Sequence, residues 1–136
     1  MTTTNPTRRN VLVGMCALAA SGLTGLFEIS AAEAASAIKV RKDGKVDVTI
    51  SALAKNGAVL KLPTLNAALV RVSATKYVAY SLKCTHEGGP VDATTWTCAW
   101  HGAQFDSKTG AATRMPATRA LTKLKVAVAK GIATVG

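Results

Sequence analysis

The chain is short of the side chains that do chemistry. Its 136 residues include two histidines and three cysteines. That caps metal or redox work at one small site and excludes a multi-cluster protein or a histidine-rich active site. Aromatics are as scarce, two each of Phe, Trp and Tyr, and none is interleaved with a basic stretch. Proteins that hold single-stranded nucleic acid rely on such platforms for stacking, so no nucleic-acid partner is expected. Acidic residues number 7 against 17 Lys and Arg, leaving a formal net charge of +10. Such a field draws anionic surfaces and acidic proteins. A chain of this length is expected to form one domain and has no room for a catalytic apparatus spread over two large ones. It also lacks a run of about 20 strongly apolar residues, the length of a spanning helix. The longest candidate, Val11 to Phe27, is diluted by Gly14, Ser21, Gly22, Thr24 and Gly25.

That stretch has the pattern of a targeting leader: Arg8-Arg9 precede it, and Ala32-Glu33-Ala34 follows as an A-x-A cleavage site. The arginine pair, with Thr7 before it and Val11-Leu12 after, resembles the twin-arginine export signal. An ordinary secretory n-region is the alternative on the leader alone. The expected division is a cleaved signal over residues 1–34 and a functional domain over 35–136. Arg8 and Arg9 are balanced by Glu28 and Glu33, so the domain keeps the whole +10. Cys16 departs with the leader. Cys84 and Cys98 remain, enough for one bridge or one metal site.

The rest of the chain alternates in steps of two, the signature of half-buried strands. Val46, Val48 and Ile50 alternate with Asp47, Thr49 and Ser51. Asn56-Gly57 is a turn signal, and Ala58–Leu62, Ala67–Val72 and Lys76–Leu82 read as further strands. Near the C-terminus Leu124, Val126 and Val128 alternate with Lys123, Lys125 and Ala127 as one strand, and Lys130-Gly131 turns into a last one, Ile132 to Val135. Strands joined by short turns predict an antiparallel all-β domain with no helix longer than a turn after the leader. From Cys84 to Pro116 the alternation fails, and Gly, Thr, Pro, both histidines and both remaining cysteines collect there. Function is expected in that segment.

Its core is Cys84-Thr85-His86, eleven residues from Glu87 to Thr97, then Cys98-Ala99-Trp100-His101-Gly102. Thiolate and imidazole two or three residues apart on tight loops can converge on one point. Two such loops offer two sulfurs and two nitrogens, a metal-ligand set. Three readings compete: a two-iron, two-sulfide cluster with both thiolates on one iron and both imidazoles on the other, a tetrahedral zinc site, or a plain Cys84–Cys98 disulfide with surface histidines.

Cys84-Thr85-His86-Glu87-Gly88-Gly89 and Cys98-Ala99-Trp100-His101-Gly102-Ala103-Gln104-Phe105-Asp106 resemble the two boxes of the Rieske iron–sulfur proteins. Lys108-Thr109-Gly110 resembles the family's turn after the second box, and Met115-Pro116-Ala117-Thr118-Arg119-Ala120-Leu121 its proline loop. The resemblance implies a Rieske-type antiparallel β-sandwich with a small inserted cluster-binding subdomain, and one [2Fe-2S] cluster per chain. It implies Cys84 and Cys98 as ligands of the buried iron and His86 and His101 as ligands of the outer one. Imidazoles at the surface would let a redox partner approach, and losing a ring proton can accompany oxidation.

Several positions depart from the family pattern. Quinol-oxidising members carry an extra cysteine in each box; here Gly89 and Trp100 stand there, so that bridge cannot form. Trp100 is expected to fill the vacated volume. High-potential members donate hydrogen bonds to sulfur from a serine and a tyrosine, where this chain has Ala103 and Phe105. Losing donors that stabilise the added electron predicts a lower potential. A Rieske oxygenase needs two further histidines for its mononuclear iron, and none is left, so the chain is no oxygenase by itself.

The expected function is one-electron transfer, as a free periplasmic carrier or as the small subunit of a larger oxidoreductase, with no turnover site of its own. A membrane-anchored Rieske subunit of a cytochrome bc-type complex and a structural zinc domain are the alternatives. Expected partners are redox proteins, acidic ones included: a cytochrome, a cupredoxin or a large oxidoreductase subunit. Arg114 and Arg119, flanking the proline loop, are the docking candidates, ahead of Lys123 and Lys125. The membrane is a partner only if the leader stays as an anchor. Cluster assembly in the cytoplasm favours export of folded protein, hence the twin-arginine route to the periplasm.

Overall fold

The computed structural model describes residues 31–136, so the leader, with its arginine pair and Cys16, lies outside the described residues up to its last few positions. A short helix, α1 (Ala31–Ala37), leads in, running across the expected cleavage point and ending three residues beyond it. Among the described residues no helix is long and apolar enough to cross a membrane.

Three antiparallel sheets follow. The outer sheet has the order β1 (Ile38–Val40), β2 (Val46–Thr49), β10 (Ile132–Val135), β9 (Val126–Ala129). The middle sheet has the order β3 (Val59–Leu62), β4 (Ala67–Arg71), β5 (Tyr77–Ser81), β8 (Lys123–Leu124). A two-stranded sheet joins β6 (Gln104–Phe105) to β7 (Ala112–Arg114).

Burial explains why the strands differ in composition. In β2, Val46 and Val48 are fully buried while Asp47 and Thr49 face outward, the alternation of a strand covered on one face. In β4 the run Ala67-Ala68-Leu69-Val70 is buried throughout, the pattern of a strand covered on both. Ala67 and Leu69, with Ala79 of β5, pack toward Val46, Val48, Ala133 and Val135 of the outer sheet. Ala68 and Val70, with Val78 and Tyr80, pack toward Cys84, Trp96, Cys98 and Phe105. The register Ala68↔Tyr80 and Val70↔Val78 places these pairs on one face. The middle sheet therefore lies between a sandwich core and a second core beneath the loop segment.

The strands anticipated from alternation are present, with two differences. Ile50–Ala52 is a 3-10 turn rather than a continuation of β2. The C-terminal alternation is two strands: β8 pairs with β5 in the middle sheet and β9 with β10 in the outer one. The chain changes sheets at Lys125. Alternation persists through this corner because both segments turn one face inward, so periodicity alone cannot reveal it.

Candidate metal centre

The segment after β5 is held by isolated bridges, Lys83↔Pro90, Val91↔Cys98 and Thr97↔Gln104, which continue into the β6–β7 pair. Between them lie four loops with one backbone path. Each begins at a residue whose N–H donates to the carbonyl five positions on: Cys84 to Gly89 at 2.8 Å, Asp92 to Thr97 at 3.0 Å, Cys98 to Ala103 at 2.8 Å and Asp106 to Ala111 at 2.8 Å. Each closes with the fifth residue's N–H donating to the first residue's carbonyl, from Gly88, Trp96, Gly102 and Gly110 at 2.7–3.0 Å. All four closing residues have positive φ, at 80°, 55°, 73° and 73°. Glycine takes that conformation without a side-chain clash, and three of the four positions have it.

The first side chain of each loop accepts the same two amides. Asp92 Oδ1 accepts N–H from Thr94 and Thr95, and Asp106 Oδ1 from Lys108 and Thr109, at 2.8–2.9 Å, with a threonine hydroxyl added in both. In the other two loops sulfur takes the carboxylate's place. The Cys84 thiol accepts from the amides of His86 and Glu87, and the Cys98 thiol from those of Trp100 and His101. The sequence carried this in a shared spacing, Cys84/Gly88, Asp92/Trp96, Cys98/Gly102 and Asp106/Gly110, which a reading focused on metal ligands passed over.

The loops bring the four expected ligand residues together in two pairs, thiol with thiol and imidazole with imidazole. Cys84 and Cys98 are buried free thiols in direct contact. The plain disulfide reading does not describe them. Burial pushes the Cys84 thiol up, reinforced by its neighbour Cys98 and only partly offset by the two amides. Burial pushes Cys98 up as well, but the amides of Trp100 and His101 and the Cys84 thiol outweigh it, and the net direction is down. Above the sulfurs the rings of His86 and His101 meet edge to face with centroids 5.0 Å apart, both exposed.

Glu87, which the sequence reading left out, lies with its carboxylate 3.6 Å from His101 Nε2. One donor atom each from His86, Glu87 and His101 falls within 4.8 Å of the others, a grouping that could hold a cation by itself. Nε2 faces Glu87, which leaves Nδ1 as the other ring nitrogen of His101.

The surroundings match the departures noted above. Gly89 leaves space that Trp100 takes: a Cβ built at Gly89 would stand 2.8 Å from the indole and 3.0 Å from Cys98 Sγ. The indole is otherwise 60% exposed. Ala103 and Phe105 are buried in the core beneath the thiols and bring no hydroxyl to them. The proline loop, with a cis Met115–Pro116 peptide, is clipped to the first box reciprocally. Thr85 Oγ1 donates to the Arg119 carbonyl at 2.7 Å, and Arg119 donates to the Thr85 carbonyl at 3.2 Å. Arg119, Lys83 and Glu87 line an open hollow of about 610 Å³ beside Cys84 and His86, two basic side chains against one acidic.

Two buried sulfurs supplied with N–H donors below two exposed imidazoles form a donor set suited to a two-iron cluster with chemically different ends, and define an iron–sulfur electron-transfer domain. The sequence model of the Rieske [2Fe-2S] domain matches residues 34–127, and the chain belongs to that family. It carries one [2Fe-2S] cluster and functions in electron transfer with redox partner proteins. No curated protein matches it. Among solved structures, the cyanobacterial plasma membrane Rieske protein PetC3 from Synechocystis PCC 6803 is 24% identical, over 65% of this chain and 94% of that one, with a TM-score of 0.51. That likeness shows the fold. The ferredoxin of carbazole 1,9a-dioxygenase from Nocardioides aromaticivorans IC177 is 23% identical over 60% of this chain and 86% of its own, with a TM-score of 0.42. A chain from a complex of reduced oxygenase and oxidized ferredoxin in carbazole 1,9a-dioxygenase is 28% identical over 52% and 68%, with a TM-score of 0.41.

Proposed function

We propose that Cys84 and Cys98 hold the inner iron of the cluster and His86 and His101 the outer one, in a one-electron carrier that works in the periplasm. The carrier acts free or as the small subunit of a larger oxidoreductase. The observation that carries this reading is the stacking of two amide-supported thiols beneath two exposed imidazoles on paired loops. When bound, the cluster takes up and releases one electron. The chain's own residues do the rest. Four backbone amides stabilise negative charge on the sulfurs, the burial of Cys84 and Cys98 keeps water from them, and the histidines form the face a partner reaches.

Residues 1–34 serve in this reading as a twin-arginine leader that exports residues 35–136 already folded. The partner is acidic, since net charge +10 and the Arg119 and Lys83 side chains beside the site favour it. Reversing Arg114 and Arg119 together is expected to lower the second-order transfer rate to an acidic cytochrome or cupredoxin about tenfold at low salt, with little effect at high salt.

The decisive experiment is electron paramagnetic resonance of the reduced protein, with Cys84→Ser, Cys98→Ser, His86→Ala and His101→Ala beside the natural chain. Each variant is expected to lose the Rieske signal; a variant that keeps it would overturn the ligand assignment, and colourless zinc-loaded natural protein would overturn the cluster. Replacing Arg8 and Arg9 by lysine is expected to shift the signal from periplasmic to cytoplasmic fractions. An unchanged distribution would remove the export reading and leave the ligands standing.

A further inference from the structure

We propose that the open edge of β9 is a docking edge for an extended strand of a partner protein, one with acidic residues at both of its ends. β9 is the last strand of the outer sheet and pairs only with β10 among the described residues. The turn between them is two residues long, Lys130 and Gly131, with φ of 49° and 76°. In a hairpin closed by such a turn the flanking pair Ala129↔Ile132 is hydrogen-bonded, and bonded pairs then alternate along the ladder. The bond from Gly136 N–H to the Lys125 carbonyl, 3.1 Å, fits that alternation. The N–H and C=O groups of Val126 and Val128 therefore point away from β10, toward the open edge.

Sheet edges are usually blunted by a charge, a proline or a bulge. β9 reads Val-Ala-Val-Ala and has none of these. Val128 is 45% exposed, and Ile132, on the opposite face of the sheet, is 42% exposed. Lysines stand just outside the strand, Lys125 before it and Lys130 after it, and no acidic residue follows Asp106 anywhere in the chain. Along the start of β9 runs an open groove of about 700 Å³ lined by Lys45, Lys123 and Lys125, with no acidic side chain on its walls.

Charge selects the occupant. A second copy pairing antiparallel would bring Lys125 of one chain and Lys130 of the other to each end of the ladder, and a parallel pairing would bring like lysines together. Both place like charges side by side, which is unfavourable. A strand with Asp or Glu at its ends instead pairs with Lys125 and Lys130, bonds the outward groups of Val126 and Val128, and covers the Val128 side chain. This is strand addition, in which main-chain bonds give affinity and flanking side chains give choice. The middle sheet separates β9 from the core under Cys84 and Cys98. A partner held there leaves His86 and His101 open, so the carrier can be tethered while it exchanges electrons. The inference adds a second surface and does not depend on the export reading.

The probe is the synthetic peptide Ac-EEVTVTEE-NH2, titrated at low salt into the folded cluster-loaded protein, with amide hydrogen exchange followed by NMR. Saturation is expected to slow exchange at Val126 and Val128 at least tenfold. Lys125→Glu with Lys130→Glu is expected to weaken binding at least tenfold, and Val128→Pro to abolish it while the reduced-state resonance signal stays intact. The same peptide with lysine in place of glutamate is expected not to bind. No slowing at millimolar peptide overturns the proposal. So does a concentration-dependent dimer in sedimentation that Val128→Pro abolishes, because the occupant is then a second copy. Binding to phosphatidylglycerol vesicles that Val128→Pro leaves intact, without peptide protection, overturns it in favour of a membrane surface.

Discussion

The loops that begin at Cys84 and Cys98 and those that begin at Asp92 and Asp106 follow the same backbone path and close on the same pair of main-chain hydrogen bonds. They differ in what sits at the first position. In the aspartate loops a carboxylate oxygen collects two amides and a threonine hydroxyl, and its hydrogen-bonding capacity goes into stiffening the turn. In the cysteine loops a sulfur collects the equivalent amides and has lone pairs left for a metal. The threonine of the aspartate loops is replaced by Glu87 in one cysteine loop and by His101 in the other. The fold thus uses one turn twice as scaffold and, in the proposed ligand set, twice as ligand holder, and the change of role needs only a few side chains.

The largest test exchanges the roles. Cys84→Asp with Glu87→Thr converts the first cysteine loop to the chemistry of its neighbours. The loop's hydrogen bonds are expected to persist while the reduced-state resonance signal vanishes. The cluster-free variant should melt at least as high as cluster-free Cys84→Ala, which leaves the two amides without an acceptor. A variant that keeps the signal would break the analogy outright.

Next come the closing positions. A Cβ at Gly110 would stand 2.6 Å from the Tyr80 ring, at a φ of 73° that L side chains rarely adopt. Tyr80 cannot withdraw, being fully buried, with its hydroxyl donating to the Lys108 carbonyl at 2.9 Å. Gly110→Ala is expected to cost about 3 kcal/mol in urea unfolding. Trp96 holds the equivalent place at φ 55°, and its buried indole meets Tyr80 edge to face at 6.2 Å. Trp96→Gly relieves the backbone but empties the core, with an expected net loss of about 2–4 kcal/mol. A loss below about 1 kcal/mol at either site would show that packing against Tyr80 does not hold that loop in place.

A smaller effect sharpens the sulfur side. The thiols draw on backbone amides and on each other, with Ala103 in the same buried core. Ala103→Ser is expected to raise the reduction potential by about 60 mV in protein-film voltammetry, the equivalent of about 1.4 kcal/mol for one electron. No change would mean that the added hydroxyl does not reach sulfur.

The smallest effect concerns acid. The amides of Thr95 and Thr94 hold Asp92 below the usual carboxylate value, and the amide and hydroxyl of Thr109 do the same for Asp106. A folded-state value below the unfolded one means that the unfolded chain binds more protons as pH falls. The stabilisation is therefore complete above the ordinary carboxylate value, about 3.9, and is lost as pH drops through the lowered folded values. Both groups are exposed, so screening keeps the effect small. Asp106→Asn is expected to flatten the melting temperature between roughly pH 4 and pH 2 by a few degrees.

Much of this was legible in the order of residues, because alternation is local. The Val46–Thr49 pattern and the Lys130-Gly131 turn need only near neighbours to be recognised, and the spacing of Cys84, His86, Cys98 and His101 pointed to one segment as a candidate ligand set. The corner at Lys125 was not legible, since a strand that changes sheets keeps its period of two. Glu87 escaped because its partner His101 is fourteen residues away on another loop. The clip between Thr85 and Arg119 joins residues 34 apart and leaves no periodic trace.

By itself the sequence pointed to the class of chemistry, through paired boxes that resemble the Rieske family, and it determined the strand-rich character through steps of two. Only the tertiary structure decided which amides reach the sulfurs, that Trp100 leans over Gly89, and that β9 is left as an edge. Residue types and spacings specify what a segment can do locally. Which distant segments meet is settled by the packing of two cores against the two faces of one sheet.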